Sequence, residues 1–239
     1  MTSLESNIAR VAAYYAAQAP EYNTQYEIEN IDAGYASLRQ SYQSAFAGLD
    51  VLEIACGTGY WTRVVSSTAR TVLATDLHLV LIEQTSQRLQ SLPNVRCQVA
   101  DAYTLDGVAG TFSGAFGQYW WSHIPVKMRK SFLTTLHAKL RPGALVMFTD
   151  NLEYHDSTVK RYTDEHGDVY EERLLRDGTR FETIKNFPSR SELAGLLDGI
   201  SDDFHYVERD LPEVTPAGLW TVAYRVKADH SASSARNDG

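Results

Sequence analysis

The chain has little cysteine, little basic charge and no long apolar run, and each shortage removes a class of protein. Two cysteines, Cys56 and Cys97, cannot make a disulfide framework, so reduced thiols in a cytoplasmic protein are the expectation. No apolar stretch approaches the ~18 residues of a membrane span. The start, Met1-Thr-Ser-Leu-Glu-Ser6, has neither a basic cluster nor an apolar core, which argues against a signal peptide. Lys and Arg total 22 against 30 acids, a formal charge of -8. The arginines of one stretch, Arg173, Arg176 and Arg180, alternate with Glu171, Glu172 and Glu182. A field of that sign repels polyanions, so nucleic acid is not expected as a partner.

The chain is ordinary in other respects: 239 residues, 44% apolar and 22% charged, as in a soluble globular protein. That length suits one α/β domain with an elaboration. We expect it over residues 1–227, with helices in 1–47, an insertion at 152–188 and a disordered polar tail at 228–239.

Everything else is arranged around Val51-Leu-Glu-Ile-Ala-Cys-Gly-Thr-Gly-Tyr-Trp-Thr62. Val51 to Ile54 is a short apolar run suited to a buried parallel strand. It breaks into Ala55, Cys56, Gly57, Thr58 and Gly59, and a helical pattern follows. Such a loop lets a ligand approach the backbone and the first helical N–H groups. Glu53, inside the strand, needs a polar partner. Two further strand-like runs end in acids, Asp76 and Asp101. In a parallel sheet the strand ends collect at one edge, where ligands bind. A glycine loop beside carboxylates suits a ligand with ribose hydroxyls and an amine.

These pieces resemble the class I S-adenosylmethionine-dependent methyltransferases. The matching parts are Glu53-x-Ala55-x-Gly57-x-Gly59, Asp76, the Ala100-Asp101-Ala102-Tyr103 turn and Leu140-Arg-Pro-Gly143, together covering roughly 45–150. Tyr14-Tyr15, Ala19-Pro-Glu-Tyr22 and Trp120-Trp121-Ser122-His123 resemble a bacterial subgroup that methylates small molecules. The resemblance implies a Rossmann-like, doubly wound sheet of seven strands in the order 3-2-1-4-5-7-6, the last antiparallel, with N-terminal lid helices. The cofactor implied is S-adenosyl-L-methionine, with S-adenosyl-L-homocysteine as product. Ala55, Cys56, Gly57, Thr58 and Gly59 would form its loop, and Glu53 would reach its ammonium group. Asp76 would accept the ribose hydroxyls, with Leu77 beside the adenine. Asp101 would take the adenine amino group, flanked by Ala102 and Tyr103. Gln118 and Tyr119 would line the methionine end, and Tyr15 and Tyr22 would offer aromatic faces to the sulfonium.

For the acceptor, a small and aromatic or heteroaromatic molecule, Trp120 and Asn151 are the candidate contacts, with His123 as a candidate base or orienting group. Nitrogen is favoured slightly over oxygen, since a neutral amine or ring nitrogen attacks without a strong base. Methyl transfer from a sulfonium is an in-line displacement that depends mainly on alignment, so no triad is needed, and none is visible. Asp150-Asn151 resembles part of the site of metal-dependent O-methyltransferases. The acid that should end the preceding strand is missing, so no metal is expected. A nicotinamide-binding Rossmann domain is the nearest rival, but its third glycine is replaced by Thr62. A catalytically silent S-adenosylmethionine-binding regulator is the other alternative.

Along the chain, Leu4, Ile8, Val11 and Tyr15 mark a first helix behind a Thr2-x-x-Glu5 cap, and Ile28, Ile31, Tyr35, Leu38 and Tyr42 mark a second. A helix is expected near 126–140 and a strand at 144–150. Val169–Arg176 and Thr179–Lys185 flank Asp177-Gly178 and read as a hairpin. It could cap the substrate pocket or extend the sheet edge toward a second subunit in a homodimer. Ser189-x-x-Glu192 caps a later helix, and Leu219–Val226 alternates as an antiparallel final strand.

Overall fold

The computed structural model describes residues 3–18, 31–154, 159–212, 215 and 217–228. Its centre is a seven-stranded sheet. The parallel strands are β1 (Asp50–Ile54), β2 (Thr71–Asp76), β3 (Val95–Val99), β4 (Phe112–Gln118) and β5 (Leu140–Asn151). β10 (Leu219–Val226) runs antiparallel to β5 and to β9 (Ser201–Arg209). The order β3-β2-β1-β4-β5-β10-β9 is the one the resemblance implies, with three extra strands of a separate sheet counted in between.

Central strands read as unbroken apolar runs because helices cover both faces. Along β1 the side chains alternate between two cores. Val51 meets Phe116, Met147, Trp61, Val65, Tyr42 and Phe46, under α3 (Ala36–Ala45) and α4 (Tyr60–Ser66). Leu52 and Ile54 meet Ala115, Val146, Phe148, Trp121 and Phe132, under α6 (Arg129–His137) and α7 (Arg190–Leu197). Each fully buried side chain of this size contributes about 1.5–3 kcal/mol. The connection from β2 to β3 is α5 (Leu79–Arg88). The Ser189–Glu192 capping box on α7 forms as expected, each side chain bonding the other residue's backbone N–H.

Three boundaries differ from the sequence reading. The second helical stripe is interrupted: α2 (Ile31–Gly34) stops, Tyr35 leaves helical geometry at φ -86 and ψ 3, and α3 begins at Ala36. Glycine at the join favours the break, yet Tyr35, Leu38 and Tyr42 remain buried on one side. The helix expected near 126–140 is a 3-10 turn at Val126–Met128 followed by α6. β5 begins at Leu140 rather than Ala144, because pairing with β4 resumes across a bulge at Pro142-Gly143, where Gly143 has φ 75.

The insertion is more than a hairpin. β6 (Arg161–Thr163), β7 (Val169–Leu174) and β8 (Arg180–Ile184) form a three-stranded antiparallel sheet. The Asp177-Gly178 turn is longer than a two-residue one. Leu175 N–H donates to Thr179 O and Gly178 takes φ 88, the signature of a three-residue loop. This sheet does not extend the edge of the seven-stranded one; it carries α1 (Ser3–Gln18). Arg10 pairs with Glu182 at 2.7 Å, Tyr14 meets Phe181 edge-on, and Val11 packs with Tyr170 and Ile184. Thr2, Pro20, Tyr22, Ile28 and the tail 229–239 lie outside the described residues.

Candidate functional site

The C-terminal ends of β1, β2, β3 and β4 open into one cavity, and α1 roofs it. Its walls include Ala55 and Gly57 from the loop after β1, Asp76, Leu77 and His78 after β2, Ala100, Asp101, Ala102 and Tyr103 after β3, and Gln118, Tyr119, Trp120 and His123 after β4. Val11, Ala12 and Tyr15 of α1 close the top. Eleven residues expected at the site therefore meet around one space, along with His123.

The loop is built for close approach. Gly57 (φ 56) and Gly59 (φ 80) adopt left-handed geometry, and a Cβ on Gly59 would lie 2.6 Å from Thr85 Cγ2. Ala55 (φ 53) and Tyr119 (φ 57) share that geometry without being glycine, at the exits of neighbouring strands β1 and β4. Each costs of order 1–3 kcal/mol, and such strain gathers at binding sites. Neighbouring contacts hold both: Cys56 N–H donates to Thr75 O, and Tyr119 N–H donates to Thr149 O. The Tyr119 and Tyr35 hydroxyls bond one another.

Asp76 is 6% exposed and well supplied with donors. Gly57 N–H reaches Oδ2 at 3.0 Å, while His78 N–H at 3.0 Å and His78 Nδ1 at 3.2 Å reach Oδ1. Asp101 Oδ1 accepts from Tyr103 N–H at 2.8 Å, fixing the turn that carries Ala102 and Tyr103. Leu77 stands 44% exposed beside it at the mouth. Burial pushes the Tyr103 hydroxyl well above its ordinary pKa.

Glu53, Cys56, Thr58, Gly59 and Asn151 are not among the cavity walls. Glu53 is buried behind the loop and accepts from Thr62 Oγ1 at 2.6 Å, the polar partner its position demands. Burial raises its pKa to about 8, the nearby Asp76 adding to the effect. Cys56 faces Ala74 and Ile82 between sheet and helix, with Cys97 against the same cluster. Gly59 is the N-cap of α4. Asn151 is half-buried at the end of β5.

Of the two adjacent tryptophans, Trp121 belongs to the core, packed on Phe132 and Phe148, while Trp120 lines the cavity 5.7 Å from the Tyr103 ring. His123 is buried and held at both nitrogens. Nδ1–H donates to Ile184 O at 2.7 Å, which leaves Nε2 to accept from the Tyr15 hydroxyl at 2.7 Å. Burial lowers its pKa to about 3, with the Lys185 and Arg173 charges acting in the same direction. Lys185 is 5% exposed, bonded to Asp150 Oδ1 at 2.8 Å and Ser122 Oγ at 2.9 Å. Asp150 also accepts from the N–H groups of Ser122 and Asn151. Its burial opposes ionisation, but Lys185 and the Ser122 N–H hold its pKa below the usual carboxylate value. Asp150 thus anchors the turn that presents Trp120 and His123. Among the described residues no group of three His, Cys, Asp or Glu could hold a metal ion.

Three buried polar atoms of the cavity wall have no protein partner among the described residues: Oε1 and Nε2 of Gln118 and Nε1 of Trp120. Orphaned groups on a cavity wall imply a ligand or water that completes them. The acids at one end, the orphaned Gln118 amide at the other and the left-handed loop between them fit an amino-acid nucleoside. His78, Leu81, Val11 and Ala12 are wall residues the sequence reading did not include. Val11 sat on a recognised helical stripe. His78 follows Asp76 by two positions, a spacing that lets a ring turn back onto a carboxylate.

Comparison with known proteins agrees with this geometry. Residues 51–143 match a family model described as a methyltransferase domain. The solved complex of DhpI with SAH shares 27% identity, covering 92% of this chain and 97% of that one, with a TM-score of 0.70. The DhpI-SAM-HEP complex, at 27% identity and 91% and 97% coverage, has a TM-score of 0.69. Burkholderia thailandensis 1,6-didemethyltoxoflavin-N1-methyltransferase shares the fold at 18% identity, 95% and 92% coverage and a TM-score of 0.66; it was solved with 1,6-didemethyltoxoflavin and S-adenosylhomocysteine. No curated protein matches the chain. The strand order is that of the Rossmann-like methyltransferase fold. Within that fold, residues 51–143 carry the methyltransferase domain, and the chain as a whole is similar to a protein solved with SAH.

Proposed function

We propose that the protein transfers the methyl group of S-adenosylmethionine to a nitrogen or oxygen of a small, aromatic or heteroaromatic metabolite. The observation that carries this reading is the single cavity in which Asp76 and Asp101 stand at one end and Gln118, Tyr119, Trp120 and His123 at the other. The small-molecule part is supported by the compounds named with the relatives, 1,6-didemethyltoxoflavin in one case and an amino pentose in another. The net charge of -8 weighs against a polyanionic acceptor.

The cofactor supplies an electrophilic methyl on a positively charged sulfur. Asp76 has two oxygens for the ribose hydroxyls, and Asp101 with the Ala102–Tyr103 turn receives the adenine edge. Ala55 and Gly57 form the floor under the amino-acid part and Gln118 offers it an amide, while Glu53 lies behind the loop, where an ammonium group in the cavity would favour loss of its proton. The aromatic faces of Tyr15 and Tyr119 suit a cation. Trp120, tilted against Tyr103, is the flat surface for the acceptor ring.

His123 is a positioning residue in this scheme. Its Nε2 is occupied by the Tyr15 hydroxyl, and a further proton would meet Lys185 and Arg173 in a buried place. A site without a strong base favours an acceptor that is nucleophilic as it arrives, such as an amine or ring nitrogen. Alignment and exclusion of water supply the rate, to the extent of ~7–11 kcal/mol in favourable systems. The test is transfer of labelled methyl from S-adenosylmethionine to a panel of N-heterocycles, amines and phenols. Labelling of a heterocycle or amine supports the reading; tight cofactor binding with no labelling of any metabolite would instead indicate a silent binding protein.

A further inference from the structure

His78 is held at both ring nitrogens by groups that only accept. Nδ1 lies 3.2 Å from Asp76 Oδ1, and Nε2 lies 2.8 Å from the carbonyl oxygen of Ala12 in the roofing helix α1. A neutral imidazole has one N–H, so both bonds can be made only when both nitrogens are protonated. The charge balance agrees. Burial alone would lower the pKa of His78, but the Asp76 hydrogen bond outweighs it and raises the value above 6.5, with the Ala12 carbonyl adding to the rise. One cation therefore ties the roof of the cavity to its most buried wall carboxylate.

Asp76 is close to saturation as a result. A carboxylate offers about four lone-pair sites, and Gly57 N–H, His78 N–H and the His78 ring occupy three. A vicinal diol brings two donors, one more than the vacancy. The two backbone donors are fixed by the loop and by the start of α5. The imidazole is the donor that can leave.

We infer that His78 is a protonation-dependent latch, in which the imidazolium joins α1 to Asp76 until the diol of an incoming nucleoside takes its place on the carboxylate and the Nδ1 proton passes to solvent. The inference rests on the proposed ribose role of Asp76. The balance is one proton lost per ligand bound: Nε2–H stays on the Ala12 carbonyl, Nδ1 becomes neutral, and the diol donates to Asp76. The other titratable groups on the same cavity walls are Tyr15, Asp101, Tyr103, Tyr119 and His123, with Glu53 and Cys56 behind Asp76. On the α5 side the cavity wall is apolar, formed by Leu81. Glu53 can also lose a proton when an ammonium group binds, so the difference between the wild type and a His78 variant isolates the latch.

The test is the affinity of the full chain for S-adenosylhomocysteine between about pH 6 and pH 8, for wild type and His78→Gln. Glutamine keeps a neutral donor toward Asp76. The wild-type affinity is expected to rise with pH more steeply than the variant's, by up to about one additional tenfold per pH unit. In nitrogen-15 spectra of the wild-type ring, both nitrogens should be protonated in the free protein at neutral pH, and Nδ1 should lose its proton when S-adenosylhomocysteine is added. Binding with the same pH dependence in both proteins, or an unchanged ring, overturns the latch and leaves the methyltransferase reading standing. Absence of S-adenosylhomocysteine binding by the wild type overturns both.

Discussion

The hydroxyl of Tyr15 donates to Nε2 of His123 across 2.7 Å, joining the roofing helix to the turn after β4. The same imidazole donates from Nδ1 to Ile184 O on the inserted sheet. Three elements far apart in sequence are therefore fixed to one ring at the cavity wall. The insertion supports the roofing helix through Tyr170, Phe181 and Ile184, while none of its own described residues lines the cavity.

The depressed pKa of His123 gives a stability signature. A group that stays neutral in the folded state down to about pH 3 takes up its proton near 6.5 once unfolded. Its contribution is complete above pH 6.5 and is lost progressively as the pH falls toward 3. Chemical denaturation at pH 7 and pH 5 should show wild type losing about 1–2 kcal/mol more than His123→Gln over that interval. Equal losses in the two proteins would mean that the imidazole is already charged in the fold.

Glu53 has the opposite signature. Its folded pKa, about 8, lies above its ordinary 4.5, so the unfolded chain gives up the proton first. The folded state is penalised increasingly as the pH rises from about 4.5 to about 8. Glu53→Gln should accordingly raise the melting temperature of the ligand-free protein at pH 8 and leave it nearly unchanged at pH 4.5. Glutamine still accepts the Thr62 hydroxyl, so packing is kept. A uniform shift at both values would assign the effect to packing instead of charge.

Lys185 and Asp150 form a buried ion pair whose removal from one side leaves a charge without its partner. Lys185→Met should destabilise the protein by about 3–5 kcal/mol, the range for breaking such pairs. Combining it with Asp150→Asn should recover part of that loss. Urea denaturation of both single variants and the double variant checks both statements, and a double loss equal to the sum of the single losses would exclude coupling.

The sheet was readable because its central strands are short apolar runs ending in small or acidic residues, and helical stripes separate most of them. Val51–Ile54, Thr71–Asp76 and Leu219–Val226 lie within a residue of the observed strands. Asp76, Asp101 and Gln118 reach one cavity because strand ends of a parallel sheet must share an edge. The roof was less legible. Contacts of α1 with His78 and His123 span 66 and 108 positions and leave no periodic mark. The third strand of the insertion, Arg161–Thr163, is too short to show alternation. Glu53 and Asn151 illustrate a further limit, since nearness along the chain to a binding loop does not decide which way a side chain points.

The central claim, that the acids at the strand ends hold a sulfur nucleoside, is tested most directly by calorimetric titration of S-adenosylhomocysteine into wild type, Asp76→Asn and His123→Gln at one pH. Loss of charge-assisted bonds to the ribose should weaken binding to Asp76→Asn by roughly 10–100-fold, with His123→Gln well inside that loss. Wild-type affinity retained in Asp76→Asn would contradict the account.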